Sequence, residues 1–369
     1  MADVVLTGGG TGGHVYPALA VAEALVRLRP GLDVLFVGTP DRMEARVVPA
    51  AGWRFEAIEA RGLSSRPLEA VKAVATLARG LGQARDLMRR ETPRVVLGTG
   101  GFASAPTLLA ARLEGVPTYL HEQNVVPGKV NRWLGRWATG VLLSLPGGEH
   151  WWSGVECIFT GNPIRQTAFQ VERSVARAAV KVPEGAPLLL VTGGSQGARR
   201  INDAMLDLAP RLLRETRWHV LHVTGPAGFE DARLRLPAEA EGRWTLVPYM
   251  DDMPTAVVAC DIAVGRAGAT TLAELTAMGK GMVLVPYPFA GGHQLLNARA
   301  ALDAGAARVI TDHACDGPGL ADVLLPLLTD PEAVDQMAAA SLRLGSPNAA
   351  DQVARLLLDA AFPLSNAGA

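Results

Sequence analysis

Residues 4–14 read Val4-Val-Leu-Thr7-Gly-Gly-Gly-Thr-Gly-Gly-His14 and lead into an alanine- and leucine-rich segment. An apolar run that enters a glycine-rich turn and then a segment of helical period is typical of the first strand–turn–helix unit of an open parallel sheet. Such a turn brings backbone N–H groups to a helix start, where they can hold phosphate. The stretch therefore predicts an α/β fold with a turn that can bind an anionic ligand.

A second stretch of the same kind, Thr192-Gly-Gly-Ser-Gln-Gly-Ala198, follows another apolar run. Short Val/Leu/Ile runs alternate with longer helical segments along the whole chain, which favours parallel strands joined by helices. We therefore predict two Rossmann-like domains, each with a parallel sheet. The predicted strands lie near 3–7, 33–37, 94–98, 117–120 and 140–144, and then near 187–191, 218–223, 244–247, 261–264, 282–285 and 307–310.

The length of 369 residues also favours two domains, because one hydrophobic core rarely serves more than about 300 residues. We place the first domain at 1–163 and the second at 164–347. Proline and glycine bracket a linker that runs from Gly161 to Pro187. The last apolar helix, near 348–361, is expected to fold back onto the first domain.

Composition excludes several classes of protein. No stretch has the roughly 18 apolar residues that a membrane-spanning helix requires, and the N-terminus lacks the regions of a secretory signal, so we expect a cytoplasmic location. Cys157, Cys260 and Cys315 match neither zinc-ligand spacing nor a disulfide framework. The net charge of -1 gives no overall attraction for nucleic acid, but the basic residues are in excess before residue 166, where an anionic surface would be met.

The first glycine loop has a limited set of interpretations. A dinucleotide site requires an acidic residue at the end of the second strand, whereas Asp33 precedes that strand and Val37-Gly-Thr-Pro40 ends it. A P-loop is excluded because no Gly-Lys-Ser/Thr follows either glycine run. A phosphate-binding turn and a merely tight turn both remain open.

His14 closes this loop and should lie in the first turn of the helix. The helix dipole disfavours a charged imidazolium there and keeps a neutral ring available as a base. His14 is thus a candidate general base, although a histidine that caps or packs locally fits the same position.

His121-Glu-Gln-Asn124 follows a predicted strand and should lie at the carboxyl edge of the first sheet, together with a third glycine-rich turn at 98–104. Glu122 is a second candidate for the catalytic carboxylate or base. A structural network of polar side chains is the alternative.

In the second half, Arg266 precedes a predicted helix start and Glu274 lies one turn inside that helix. An arginine at a helix start suits a diphosphate and the carboxylate suits ribose hydroxyls, whereas an Arg–Glu surface pair is the alternative. Gln294 and Asn297 lie one turn apart on a later helix. No Asp-x-Asp pair occurs, so we predict no metal and no cofactor, with positive charge from Arg165, Arg266 and helix N-termini.

The segment 66–90 is helical by pattern, with an apolar stripe beside basic residues. Such a helix, with Trp133 and Trp137 nearby in the same half, can rest on anionic headgroups. The periodicity alone favours an ordinary surface helix whose stripe faces the domain core. The stripe consists of Leu68, Val71, Ala75, Ala78, Leu81 and Leu87.

Taken together and in order, these motifs resemble the MurG family of bacterial N-acetylglucosaminyltransferases, in glycosyltransferase family 28. The resemblance runs from about residue 4 to 310. It rests on Gly9-Gly-Thr-Gly-Gly-His-Val15, Gly38-Thr-x-Asp-Arg-Met-Glu44, His121-Glu-Gln-Asn124, Gly161-Asn-Pro-x-Arg165, Gly193-Gly-Ser-Gln-Gly-Ala198, Arg266-x-Gly-Ala-x-Thr271 and Gln294-x-x-Asn297.

The resemblance implies a GT-B fold with a central cleft, a peripheral position on the inner face of the cell membrane, and inverting transfer of GlcNAc from UDP-GlcNAc to lipid I. By that resemblance uracil would meet Met250 and ribose would meet Glu274. The remaining donor contacts would be Thr11, Gly12, Gly13, Asn124, Arg165 and Ser195 at sugar and diphosphate, Gln294 and Asn297 at the sugar, and Ala269, Thr270, Thr271, Leu272 and Ala273 at the helix start.

Two positions depart from the family pattern. Phe102 stands where tyrosine is common, so any role of a phenol hydroxyl is absent. Gly291-Gly292 precede His293 where polar or charged residues are usual, so the exact sugar contacts there are open. The alternative functions are a related transferase with another lipid acceptor, such as a diacylglycerol glycosyltransferase, a UDP-GlcNAc 2-epimerase, or a non-catalytic nucleotide-sugar- or lipid-binding subunit.

Overall fold

The computed structural model describes residues 1–62, 67–194, 197–289 and 292–363, with the side chains of 67–71 left out. The chain forms two compact units. Unit 1 comprises residues 1–165 and the C-terminal segment that begins at Asn348, and unit 2 comprises Gln166–Pro347.

Unit 1 is built on seven parallel strands. They are β1 (Val4–Gly8), β2 (Val34–Gly38), β3 (Arg54–Ala57), β4 (Val95–Gly100), β5 (Thr118–Glu122), β6 (Gly140–Leu143) and β7 (Cys157–Phe159). Their order in the sheet is β3-β2-β1-β4-β5-β6-β7. The central strands are fully buried because helices cover both faces, which explains their continuous valine and leucine runs.

The two outermost strands, β3 and β7, were missed by the sequence prediction. Both are partly exposed. The residues of β3 alternate between polar and apolar, and the apolar run of β7 is only three residues long. Every strand that was predicted is present within two residues of its expected position.

The helices of unit 1 cover this sheet. They are α1 (Gly12–Leu28), α2 (Met43–Ala50), α3 (Pro67–Glu91), α4 (Ser104–Leu113) and α5 (Lys129–Gly135), with α14 (Ala349–Ala361) at the C-terminus. The last of these packs along α1, and its Val353 and Leu357 share a core with Leu19 and Leu25. Phe362, just after α14, lies under the guanidinium groups of two arginines of unit 1, Arg29 and Arg94. The C-terminal helix is thereby part of unit 1.

Unit 2 is built on six parallel strands. They are β8 (Leu188–Thr192), β9 (His219–Val223), β10 (Trp244–Val247), β11 (Ile262–Gly265), β12 (Gly281–Leu284) and β13 (Ala307–Val309), in the order β10-β9-β8-β11-β12-β13. The helices are α6 (Arg173–Ala179), α7 (Arg199–Glu215), α8 (Phe229–Arg235), α9 (Met253–Ala259), α10 (Ala269–Ala277), α11 (His293–Asp303), α12 (Gly317–Leu328) and α13 (Pro331–Leu344). Two doubly wound parallel sheets confirm the predicted fold class.

The basic helix predicted at 66–90 is α3, although Arg66 and the side chains of Leu68 and Val71 lie outside the described residues. The residues of its apolar stripe differ in burial: Leu87 is buried in the core, whereas Ala75 and Ala78 are exposed. In the described part of the chain, no helix combines the length and the apolar character needed to cross a bilayer.

Candidate functional site

The strand order locates the candidate sites. In an open parallel sheet, ligands bind at the carboxyl ends of the strands where the order reverses. In unit 1 this point lies between β1 and β4, and in unit 2 it lies between β8 and β11. The loops that follow these strands, together with the first turns of the helices that they enter, contain most of the residues singled out from the sequence.

The first glycine loop leads directly into α1. Thr11 is the N-cap residue, but its side chain makes no capping hydrogen bond. The first backbone bonds of the helix come from the N–H groups of His14 and Val15 to the carbonyl of Thr11. Within the described residues, the N–H groups of Gly12 and Gly13 therefore have no hydrogen-bond acceptor, so this helix start can accept a polar or anionic group.

His14 is the third residue of α1 and is half-buried. Its Nδ1 lies 3.0 Å from the carbonyl oxygen of Gly9. A carbonyl can only accept, so Nδ1 carries the proton in this bond and Nε2 keeps its lone pair. The ring edge with Nε2 lies against Gly100, where a Cβ atom would come within 2.9 Å of Nε2. The geometry leaves His14 oriented as a base.

The run that begins at His121 forms a buried polar network at the end of β5. His121 donates from Nε2 to the carbonyl of Gly161 at 3.0 Å, and its Nδ1 accepts from Gln123 at 3.1 Å. Gln123 also donates to the carbonyl of Thr99, which ties β5 to β4. Because His121 has no exposed surface, burial lowers its pKa to about 4, and the ring is neutral. These two side chains hold the edge of the sheet together.

Glu122 is 2% exposed, and both of its carboxyl oxygens are occupied. One accepts from the backbone N–H of Asn124 at 3.0 Å, and the other accepts from the N–H of Gly128 and from the amide of Asn131 at 3.1 and 2.9 Å. A carboxylate enclosed in this way shapes the loop that carries Asn124, which is itself half-buried. The structural network considered from the sequence describes Glu122 better than a base does.

Arg165, at the end of unit 1, forms an ion pair with Glu23 of α1. Its Nη2 lies 2.6 Å and its Nε lies 2.8 Å from the same carboxyl oxygen, and the side chain is 42% exposed. Arg165 must leave this partner, or share it, before it can bind a diphosphate.

In unit 2, the start of α10 resembles the start of α1. Gly268 is the N-cap and offers no side chain, and the first helical N–H bond runs from Leu272 to the carbonyl of Gly268. Within the described residues, the N–H groups of Ala269, Thr270 and Thr271 therefore lack acceptors. These are the groups expected to meet the nucleotide, whereas the side chains of Leu272 and, less completely, Ala273 pack inward.

Arg266 is held beside this helix start. Its Nη1 donates to the carbonyl of Val285 at 3.1 Å and to Asp312 at 2.5 Å, and its guanidinium lies 5.3 Å from the ring of Tyr287. The ion pair considered from the sequence was with Glu274, but the partner is Asp312. The pairing brings two segments of unit 2 together that are distant in sequence.

Glu274 lies on the second turn of α10. Among the described residues its carboxyl group has neither a hydrogen bond nor an ion pair, and burial raises its pKa to about 7. A desolvated carboxyl group without a partner is costly, and such groups are concentrated at ligand sites. Glu274 can accept two hydroxyl groups of a bound sugar.

The remaining predicted contacts are placed differently. Gln294 is half-buried and accepts at Oε1 from the N–H of Tyr287 at 3.0 Å. Asn297 is fully buried and donates to the carbonyl of Ala267 at 3.2 Å, so it supports the Arg266 loop from beneath and would have to leave this position to touch a sugar. Met250 is half-buried just after β10, and Ser195 and Gly291 lie outside the described residues.

Among the described residues, no three His, Cys, Asp or Glu side chains are grouped as metal ligands would be. One buried carboxyl group at the edge of unit 1 was overlooked by the sequence analysis. Glu44 is 1% exposed and accepts from the N–H of Gly10 at 2.9 Å. The stretch 38–44 is one of the motifs on which the family resemblance rests, but the sequence analysis assigned Glu44 no function.

Two parallel-sheet units, each with an open helix start at its switch point, are typical of two-domain enzymes that bind nucleotides. Residues 4–143 match the model of the glycosyltransferase family 28 N-terminal domain, and residues 188–353 match that of the family 28 C-terminal domain. The chain belongs to glycosyltransferase family 28.

Relatives over nearly the whole length carry a single activity in their names. The chain is 41% identical over 359 residues to the UDP-N-acetylglucosamine--N-acetylmuramyl-(pentapeptide) pyrophosphoryl-undecaprenol N-acetylglucosamine transferase of Desulforudis audaxviator, covering 95% of this chain and 96% of the relative. It is 42% identical to the enzyme of the same name from Syntrophotalea carbinolica, covering 96% and 97%.

A solved structure is similar across the whole chain. The crystal structure of Acinetobacter baumannii MurG matches with a TM-score of 0.79 and 28% identity, covering 97% of this chain and 100% of that one. The family named from the sequence motifs is therefore confirmed, and with it the class of enzyme.

Proposed function

We propose that this protein transfers GlcNAc from UDP-GlcNAc to the 4-hydroxyl of MurNAc in undecaprenyl-pyrophosphoryl-MurNAc-pentapeptide, with inversion at the anomeric carbon. The observation that carries the proposal is the His14 ring, with Nδ1 bonded to Gly9 and Nε2 left as an acceptor, in a chain whose full-length relatives bear this activity in their names.

The reaction is a direct displacement. The acceptor oxygen forms a bond to C1 of GlcNAc as the bond from C1 to the diphosphate oxygen breaks, and UDP departs with the electron pair. The acceptor proton passes to Nε2 of His14, which acts as general base. Glu122 positions the loop of Asn124 instead of competing for this role, because both of its oxygens are already hydrogen-bonded.

The negative charge that grows on the leaving diphosphate is stabilised by oriented donors. The N–H groups at the start of α10 provide a fixed positive potential, and Arg266 lies beside them. Arg165 contributes after exchanging its bond to Glu23. Glu274 accepts the ribose hydroxyls, and the backbone near Met250 meets uracil.

Unit 1 also has features suited to a membrane surface. Val74, Leu113, Trp133 and Trp137 are exposed apolar residues on α3, α4 and α5 or just after it, and the two tryptophan rings stack edge to face at 4.7 Å. Arg132 and Arg136 lie over neighbouring tryptophan rings. Amphipathic rings beside arginines suit the headgroup region of an anionic bilayer, so we assign the protein a peripheral position on the cytoplasmic face of the membrane.

The test is a transfer assay with purified protein, UDP-GlcNAc and a lipid I analogue. UDP release is followed with the acceptor present, with it omitted, and with diacylglycerol in its place. We expect release only with the lipid I analogue, accompanied by a β-1,4-linked disaccharide product. Release with diacylglycerol alone, conversion of the donor to its 2-epimer, or donor binding without any release would each contradict the proposal.

A further inference from the structure

The carboxyl group of Glu44 joins two loops at the edge of unit 1. It lies in the first turn of α2, and one oxygen accepts from the backbone N–H and the hydroxyl of Thr39 at 3.1 and 2.7 Å. The other oxygen accepts from the N–H of Gly10 at 2.9 Å. The loop after β2 is thereby fastened to the glycine loop after β1.

Two glycines leave the space that this carboxyl group occupies. A Cβ atom on Gly9 would overlap Oε1 of Glu44, and a Cβ atom on Gly38 would come within 2.5 Å of its Cγ. The side chain is therefore enclosed by backbone on two sides. An acidic side chain that is enclosed in this way and accepts three hydrogen bonds has a fixed position.

The group that Glu44 holds is the same group that orients His14. The Gly10 N–H and the Gly9 carbonyl belong to one peptide unit, which is planar and directs them to opposite sides. Glu44 accepts from the N–H side, and His14 Nδ1 donates to the carbonyl side at 3.0 Å. A carboxylate bonded to the N–H polarises the peptide and strengthens its carbonyl as an acceptor.

We propose that Glu44 is a positioning residue that acts on His14 through the peptide between Gly9 and Gly10. By fixing the orientation of this peptide, it holds the His14 proton on Nδ1 and keeps Nε2 free to accept the proton of the acceptor hydroxyl. A carboxylate that orients a catalytic imidazole by direct contact is well known, and here one peptide unit stands between the two. The inference rests on the proposed function in that it takes His14 as the base.

The first measurement uses the wild-type protein and needs no turnover. Two-dimensional 1H–15N spectra of histidine-labelled protein distinguish the two neutral tautomers, and a His14→Gln variant identifies the signal. We expect the Nδ1–H form of His14. The Nε2–H form would overturn the proposal, because that ring could not donate to Gly9.

The second measurement uses Glu44→Gln. The glutamine amide has only one accepting oxygen, so its NH2 group must face either the N–H of Gly10 or the donors of Thr39, and one of these hydrogen bonds is lost. We expect mixed His14 tautomers and a kcat lowered by about 10- to 100-fold, as for the loss of groups that orient a functional histidine. The KM for UDP-GlcNAc should stay within about twofold, because the substitution removes no group that is proposed to bind UDP-GlcNAc. Glu56→Gln, which breaks an exposed ion pair with Arg90 on the same unit, is the control and should leave both properties unchanged.

If Glu44→Gln does not fold, Glu44→Asp replaces it, since it keeps the carboxyl group but withdraws it from Gly10 by about one bond length. The same change of tautomer is expected. Wild-type kcat and tautomer in the folded variant would overturn the coupling while leaving the transfer reaction intact. A wild-type enzyme that shows the Nδ1–H form but transfers no sugar would instead refute the proposed function alone.

Discussion

The carboxyl edges of the two sheets are built in opposite ways. At the edge of unit 1, buried polar groups satisfy one another: Glu44 and Glu122 each accept at least three hydrogen bonds, and His121 is bonded at both ring nitrogens. At the edge of unit 2, Glu274 has no partner among the described residues, and its pKa is raised to about 7. Under the proposed function, the first edge is preorganised by its own side chains to hold a catalytic base, whereas the second leaves Glu274 to be paired by the bound donor.

The largest expected effect tests whether catalysis belongs to unit 1. His14→Ala should lower kcat by about 100-fold or more, because general base catalysis is lost, and should leave the affinity for UDP-GlcNAc nearly unchanged. Steady-state kinetics and calorimetric titration of the donor measure the two quantities. A large loss of affinity for UDP-GlcNAc would contradict the assignment of catalysis to unit 1 and donor binding to unit 2. An unchanged kcat would show that His14 is not the general base.

Each unit contains a buried neutral histidine, and both should make the protein sensitive to acid. Burial lowers the pKa of His121 to about 4 and that of His222 to about 3. The unfolded chain binds these protons near pH 6.5, so stability is fully present above that value and is lost as pH falls towards the folded-state pKa.

Lowering the pH from 7.5 to 5.0 should decrease the free energy of unfolding by about 2 kcal/mol for each of the two histidines. Urea unfolding at the two pH values measures this. In unit 2, His222→Gln retains a hydrogen-bond donor to Asn202. This variant should lack the part of the stability decrease that is due to His222. An equally steep pH dependence in the variant would show that His222 does not titrate in this way.

A smaller effect is expected at Glu274. Glu274→Gln should weaken UDP-GlcNAc binding by about tenfold, because hydrogen bonds to a charged group are lost, with kcat changed less. The wild-type carboxyl group is protonated below about pH 7, so its donor affinity should rise from pH 6 to pH 8. The variant should show no such rise. For a donor analogue that lacks the ribose 2′-hydroxyl, the affinities of the wild type and the variant should differ less than they do for UDP-GlcNAc. An equal difference would show that Glu274 does not bind this hydroxyl.

The smallest effect concerns the outer surface of unit 1. Replacing Trp133 and Trp137 together by serine should lower binding to vesicles with anionic lipid by roughly three- to fivefold, because two half-exposed rings no longer enter the interface. Vesicle sedimentation measures this. Leu234→Ser removes a more exposed apolar side chain from unit 2 and should have no effect. Equal losses in the two proteins would assign no special role to unit 1.

The fold was largely predictable, because parallel strands buried on both faces leave apolar runs such as Leu188–Val191 that are visible without a structure. The edge strands β3 and β7 were missed because β3 alternates polar and apolar residues and β7 is only three residues long. At the site, periodicity placed His14 in the first turn of α1. It did not reveal that Asn297 lies beneath the Arg266 loop, because burial on one face of a helix depends on what packs there.

The two strand–turn–helix units, the candidate base and the family could all be predicted without a structure, since each rests on motifs whose residues are close together along the chain. The partners of the buried and half-buried polar groups depend on tertiary packing: Glu44 with Gly10, Arg266 with Asp312, and His121 with Gly161. These pairs join segments from different strands of a sheet or from distant loops. Only the packed sheet brings such donors and acceptors within hydrogen-bonding distance.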